Sequence, residues 1–481
     1  MRRSPQRPHR RAGEEAAAPE LDRLSALPDA LLHRVMSSLK AWEVVRTCVL
    51  ARRWRHLWAS APCVDLRIGG DDDAPLEFAR FASRLFRRRD ASAAVDMLRL
   101  RSSDEDDARS WIRAAIKRKA REIHLIGHRN GLASLEHAAF VSRHLKILKL
   151  SYAQVDDNLF KQLSSRCPSL EEMDLKDCLL SGSEISSSSL KTLTMVNCNM
   201  FWGLTISAPN LVLLRCIAPI GQAPSFKNLD SIVSGTIILD DYRFSGDFED
   251  FSKDELDETT DDDDDFDSYD DDDSDADTKR KRNEIANECD ESGYACSGNS
   301  SKKDGSHQVF GGNSGCSDSK ILGGHNVLHS LSNATSLELL ADAGEVVLTR
   351  ELKRCPSFSN LKTLFLGEWC MDANFDALVF LLQRSPNLQR IFLELKLNFS
   401  TKRPMKSSVQ PKGRSFVCKH LQMVKIKCSK DDVRVHKLAH LFKANGIPIE
   451  NIFVRRTGST YLRGKKMMKE LAKHELEFWG E

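Results

Sequence analysis

The sequence predicts an α/β chain with a short helical unit near the N-terminus, then an irregular stack of strand–turn–return repeats split by one disordered acidic insert. Three observations carry this. Trp42, Trp54 and Trp58, three of the seven tryptophans, crowd into one stretch with helical apolar spacing. An apolar frame at positions 1, 4 and 6, as in LKILKL at 145–150, recurs along most of the remainder. Residues 246–325 abandon that frame for Asp, Gly and Ser.

Residues 1–20 are Arg- and Pro-rich and read as a disordered basic arm, with MRRSPQRPHRR a candidate import or phosphate-binding patch. Residues 21–65 read as three short helices. Pro28 and Asp29 suit a helix start, since Pro fits the first turn and an acid suits its positive end. Leu27, Leu31, Leu32, Val35 and Leu39 follow as one apolar stripe, and Lys40-Ala41 breaks it. A second helix is expected over 42–50, with Val44, Val45, Cys48 and Val49. A third is expected over 52–59, with Trp54, Leu57 and Trp58 beside Arg52, Arg53 and Arg55. So small a unit buries little surface alone and needs a partner or a larger body. Residues 66–91 read as a connector holding one amphipathic helix, marked by Leu76, Phe78, Phe81, Leu85 and Phe86.

LPDALLHRVMSSL followed by VVRTCVLARRWRHLW resembles a plant-type F-box, whose pattern is LPD-x-LL-x-x-I-x-S-x-L and then RT-x-VLS-x-RWR-x-LW. The match runs over 24–65. Val35 stands where Ile is usual, Lys40 where Pro is common and Ala51 where Ser is common. The resemblance implies docking onto a Skp-type adaptor and, through it, a cullin–RING ubiquitin ligase. The positions matching the family's adaptor-facing residues are Leu27, Pro28, Leu31, Leu32, Val35, Leu39, Val44, Trp54 and Leu57. A DNA-binding helix-turn-helix is the weaker alternative, because it would expose Trp54, Leu57 and Trp58 to a groove.

The frame opens at 95, 120, 145, 170, 190 and 211, in steps of 25, 25, 25, 20 and 21 residues. After the insert it returns at Ala334, Leu361, Leu388 and Leu421. Steps in the twenties with this frame are the mark of leucine-rich repeats, here over 92–245 and 326–412. Each repeat contributes a strand, a turn and an expected helical return, and none can cover its own apolar face, so stacking is obligatory. Pro168, Pro209 and Pro386 precede a strand-opening leucine by two residues, where proline stops a return without breaking a ladder. Cys178, Cys198 and Cys370 close comparable strands and read as small core groups.

Asp247 to Asp277 holds 19 acidic residues against Lys253 alone, a balance of −18; with +2 overall, the remainder carries +20. Such a segment cannot bury enough surface to offset its ordering entropy. Lys279-Arg-Lys-Arg282 is a candidate import signal. Residues 413–456 read as strand, helix (430–444) and closing strand (449–454), ended at Asn445-Gly446, and resemble the FBD-type segment of plant F-box proteins. A capping role fits, since a stack must shield its open end. Residues 457–481 read as a basic helical tail packing through Leu471, Leu476 and Phe478.

No apolar run approaches the ~20 residues of a membrane span, and the arm has no signal-peptide anatomy. The 13 cysteines contain no Cys-x-x-Cys pair and read as free thiols of a reducing compartment. No phosphate-cradling Gly loop, nucleophile elbow or metal-spaced His/Cys cluster is visible. The expectation is a non-enzymatic substrate-recognition subunit of an SCF-type ligase, nuclear or cytoplasmic. It has no cofactor or metal, and its protein target is unreadable. A repeat scaffold without ubiquitin transfer is the alternative, and nucleic-acid binding through basic arms is disfavoured.

Overall fold

The computed structural model describes residues 23–67, 76–101, 105–128, 131–136, 138–200, 202–239, 322–342, 345–396, 413–429, 432–456 and 462–463. The basic arm, nearly all of the acidic insert with Lys279 to Arg282, and the tail with Leu471, Leu476 and Phe478 lie outside these residues.

One fourteen-stranded sheet runs through the described chain. Its strands are β1 (Cys63–Leu66), β2 (Met97–Arg101), β3 (Glu122–Ile126), β4 (Ile147–Ser151), β5 (Glu172–Lys176), β6 (Thr192–Val196), β7 (Leu213–Ile217), β8 (Ser234–Ile238), β9 (Ser336–Leu340), β10 (Thr363–Leu366), β11 (Arg390–Glu394), β12 (Met423–Cys428), β13 (Ile452–Arg456) and β14 (Leu462–Arg463). Each pairs with the next in sequence, in parallel except for the last. The helices are α1 (Asp29–Met36), α2 (Ala41–Arg46), α3 (Leu76–Arg88), α4 (Glu105–Lys117), α5 (Asp157–Arg166), α6 (Val327–Ser330), α7 (Val346–Glu351), α8 (Asp376–Gln383) and α9 (Arg434–Ala444).

The apolar frame explains the register. Leu98, Ile123, Leu148, Met173, Leu193 and Leu214 stand opposite one another on successive strands, all buried. A one-residue slip would turn every one of them to the other face. Two rungs escape the sequence frame. β1 reads Ala61-Val64-Leu66, at the edge of the helical unit and inside the stretch read as its motif. In β8, Gly235 occupies a frame position because a Cβ there would meet methyls of Leu331 and Leu337 at 3.0 and 3.1 Å.

The expected helical returns are absent after β5 and β6. Those returns are strands, Leu179–Leu180, Glu184–Ser186, Asn199–Met200 and Thr205–Ser207, and they belong to two smaller parallel sheets. Repeats of 20 or 21 residues leave little length for a helix, and SGSEISSSS is a poor helix former. Cys178 and Cys198 are core groups, as read, and they also donate: Cys178 Sγ to Leu150 O at 3.4 Å, Cys198 Sγ to Leu175 O at 3.3 Å. Each thus bonds the carbonyl of the preceding rung. The C-terminal helix begins at Arg434 rather than 430, because Asp432 folds back to accept from the Arg434 amide. Arg434 also donates to the carboxylates of Asp432 and Glu368, tying α9 to the turn after β10. Burial pushes the Glu368 carboxyl up despite Arg434.

One backbone position repeats. The residue after β4, β5, β6 and β7 is left-handed: Tyr152 (φ 53°), Asp177 (51°), Asn197 (52°) and Ala218 (47°). Asp and Asn tolerate that region, whereas Ala is strained there. Ala218→Gly is therefore expected to raise stability by about 1 kcal/mol in thermal unfolding.

The outward side chains of β3 supply a second expectation. His124 stands between Arg99 and Lys149 on the flanking strands, with Glu122 Oε2 3.6 Å away. Burial, then the charges of Lys149, Arg99 and Arg67, push its imidazole from 6.5 down to about 4 against the pull of Glu172. The unfolded chain therefore takes up a proton that the folded chain refuses. This stabilisation is complete above about 6.5 and is lost as pH falls towards about 4, by up to ~3 kcal/mol. Subtracting the stability–pH curve of His124→Gln from that of the unaltered chain should isolate this slope.

Candidate protein-docking surface

The helical unit places its apolar residues on two sides. α1 follows Pro28, which gives it no side-chain cap, and α2 follows Lys40, whose amide donates to Glu43 Oε2 at 2.8 Å. After α2 the chain tightens. The helix expected over 42–50 ends at Arg46 and continues as a 3₁₀ turn, Thr47–Val49. The one expected over 52–59 is two 3₁₀ turns, Arg52–Arg55 and Leu57–Ser60. Short tight turns let Trp54 and Leu57 face α1 across little chain. Trp54 Nε1 donates to Ser25 Oγ at 3.0 Å, and Arg53 donates to Ser25 O, so the segment before α1 is pinned to these turns. His33 Nε2 lies 3.3 Å from Leu57 O and 3.2 Å from Ser60 Oγ.

Of the nine positions singled out in the sequence, Leu32, Val44, Trp54 and Leu57 are buried. With Met36 and Ala61 they form the unit's own core, and Leu27 and Leu39 pack half-buried against it. Pro28, Leu31 and Val35 are exposed, the last two at 47% and 44%. Their spacing sets them on one face of α1. Leu24 beside that helix, with Val49 and Leu50 after α2, are also large exposed apolar residues. Sequence reasoning missed these three as surface groups. Val49 read as part of a helical stripe, but the 3₁₀ turn rotates it outward. Trp42 reads with the unit yet packs elsewhere: its ring meets Phe78 of α3 edge-on at 6.0 Å, and Phe78 meets Trp111 of α4 at 6.4 Å.

Among the described residues no three His, Cys, Asp or Glu side chains gather as a metal site, and no helix is long and apolar enough to cross a membrane. A face of separated aliphatic side chains fits apolar burial against another protein.

Comparison with known proteins places an F-box domain at residues 24–64. An F-box/FBD/LRR-repeat protein of Arabidopsis thaliana is 30% identical over 251 residues, 43% of this chain and 52% of that protein. An FBD-associated F-box protein of the same plant is 31% identical over 237 residues, 40% of this chain and 55% of that one. The meiotic F-box protein MOF of Oryza sativa subsp. japonica is 29% identical over 256 residues, 46% of this chain and 52% of its own. The chain thus spans about half the length of the curated relatives it matches.

Burial separates the two kinds of apolar residue experimentally. Leu32→Ala should lower stability by about 3 kcal/mol, because it opens a cavity, while Leu31→Ala should stay within ~1 kcal/mol. Urea unfolding of both variants measures the difference.

Proposed function

We propose that this chain, whose residues 24–64 are an F-box domain, is the target-recruiting, non-catalytic subunit of an SCF-type ubiquitin ligase. In this reading the F-box grips a Skp-type adaptor, and the stacked units, read as leucine-rich repeats closed by an FBD-like cap at 413–456, hold the protein to be ubiquitinated. The observation that carries the reading is the split within the helical unit. Four of its nine motif residues build its core, yet Pro28 just before α1 and Leu31 and Val35 on it are exposed and lie outside any core cluster of the described residues. Stability gives no reason to leave that stripe in water, whereas docking does.

The outward row of the large sheet supports target binding. It runs Arg99, His124, Lys149 and Asp174 on β2–β5, Thr194, Arg215, Thr236 and Glu338 on β6–β9, then Phe365, Phe392 and Lys425 on β10–β12, with Thr236 and Phe392 buried. The two phenylalanine rings stack at 4.1 Å. A mixed row of charged, hydroxyl and aromatic side chains on a parallel sheet can discriminate one protein surface from another. The gain for transfer is proximity, since a tethered target presents its lysines at high local concentration. The nucleus or cytoplasm as its compartment belongs to the same proposal.

The test is co-expression with a Skp-type adaptor. The unaltered chain should co-purify as a binary complex, and Leu31→Asp with Val35→Asp should lose at least tenfold of the recovered adaptor while keeping its thermal midpoint. Equal recovery from the double variant would refute the adaptor role.

A further inference from the structure

On the rim where the chain enters β10, β11 and β12, away from the F-box, lies a cleft of about 860 Å³. Its apolar walls are Phe380, Phe416, Pro386 and Val417, and its polar groups include Arg384, Lys419 and His420; no Asp or Glu lines it. The volume falls within the ~300–1,000 Å³ of small-ligand sites.

The acceptors around this cleft are already engaged. At the end of α8, Ser385 Oγ donates to Leu381 O at 2.9 Å, and Cys418 Sγ lies 3.6 Å from both Leu382 O and Ser385 O. Gln383 Nε2 donates to Ser415 O at 2.8 Å and to Gly413 O at 3.2 Å. The negative end of α8, which would repel an anion, is therefore capped from within.

The donors are left over. Arg384 is held in one pose: its Nε donates to Cys355 O at 3.2 Å, and its guanidinium carbon sits 3.6 Å above the Phe380 ring. Its two terminal nitrogens have no partner among the described residues, nor do the exposed side chains of Lys419 and His420. A guanidinium fixed by stacking and by its own Nε presents a fork that matches a carboxylate or phosphate, with less entropy lost on binding than from a free arginine.

We infer that this cleft binds an anionic side chain of a peptide, a carboxylate or phosphate group flanked by apolar residues. Arg384 clamps the anion, Lys419 adds charge and His420 a hydrogen-bonding ring at the mouth, and the exposed Pro386 and Val417 take the neighbouring apolar side chains. The site does not depend on the adaptor role of the F-box.

The experiment uses the full chain and three labelled peptide mixtures of the form X₄-Z-X₄, with X randomised and Z fixed as phosphoserine, Glu or Gln. Retention of the phosphoserine or Glu mixture should exceed the Gln mixture at least threefold; whichever is held more strongly identifies the source of the anion. Arg384→Gln should bring all three to one level. The exposed pair Lys419→Gln with His420→Gln, which touches no core, should at least halve the preference without moving the thermal midpoint. Equal retention of the three mixtures by the unaltered chain would overturn the inference, as would a preference that survives both sets of substitutions.

Discussion

Asp65 is the point at which the helical unit becomes part of the sheet. It lies on β1, the last segment of the unit and the first rung of the stack, and only 3% of its side chain is exposed. Three cations surround it: Arg67 Nη2 at 2.6 Å, Lys40 Nζ at 3.6 Å and Arg99 Nη1 at 3.8 Å. Burial alone would push its carboxyl up; hydrogen bonds from Arg67 and the charges of Arg67 and Lys40 outweigh that and hold it low. Lys40 stands just before α2 and Arg99 belongs to β2, so one carboxylate joins both bodies. Around it, Trp42, Phe78 and Trp111 continue the join as rings, and Arg89 donates to Ala61 O from beneath.

This seam decides what the helical unit can do. Its own core has six residues, which is too small to offset the entropy of ordering the segment. Trp58 packs against that core and against the core of the sheet at once. The unit can therefore leave Leu31 and Val35 in water, because its stability comes from the stack behind it. Fixing that face to a long sheet also fixes where the outward row of the sheet stands relative to it.

The sequence showed the repeat period plainly because the core is built from large aliphatic residues at a constant spacing. It did not mark the frame in β1, which lies inside the stretch read as the helical motif, nor in β8, where Gly235 takes a large residue's place although 236–239 reads as a strand. Return geometry was less legible: the same Ser-rich stretches that read as turns before a helix fold as short strands. In the F-box the motif residues were all visible, but their burial was not. Helical periodicity cannot tell a stripe facing the unit's own centre from one facing a partner, and Leu31 and Leu32 are adjacent in sequence with opposite fates. The cleft at Arg384 could not be read at all. It needs α8 and the turns before β11 and β12 together, and no local spacing announces a guanidinium whose free nitrogens face outward.

The dependence of the helical unit on the seam is open to direct measurement by hydrogen exchange on the intact chain in rising urea. Peptides covering 29–61 and 97–126 should lose protection together, with one opening free energy and one urea dependence. Loss of protection in 29–61 at lower urea, while the sheet strands stay closed, would show a unit that folds and opens by itself and would contradict the account.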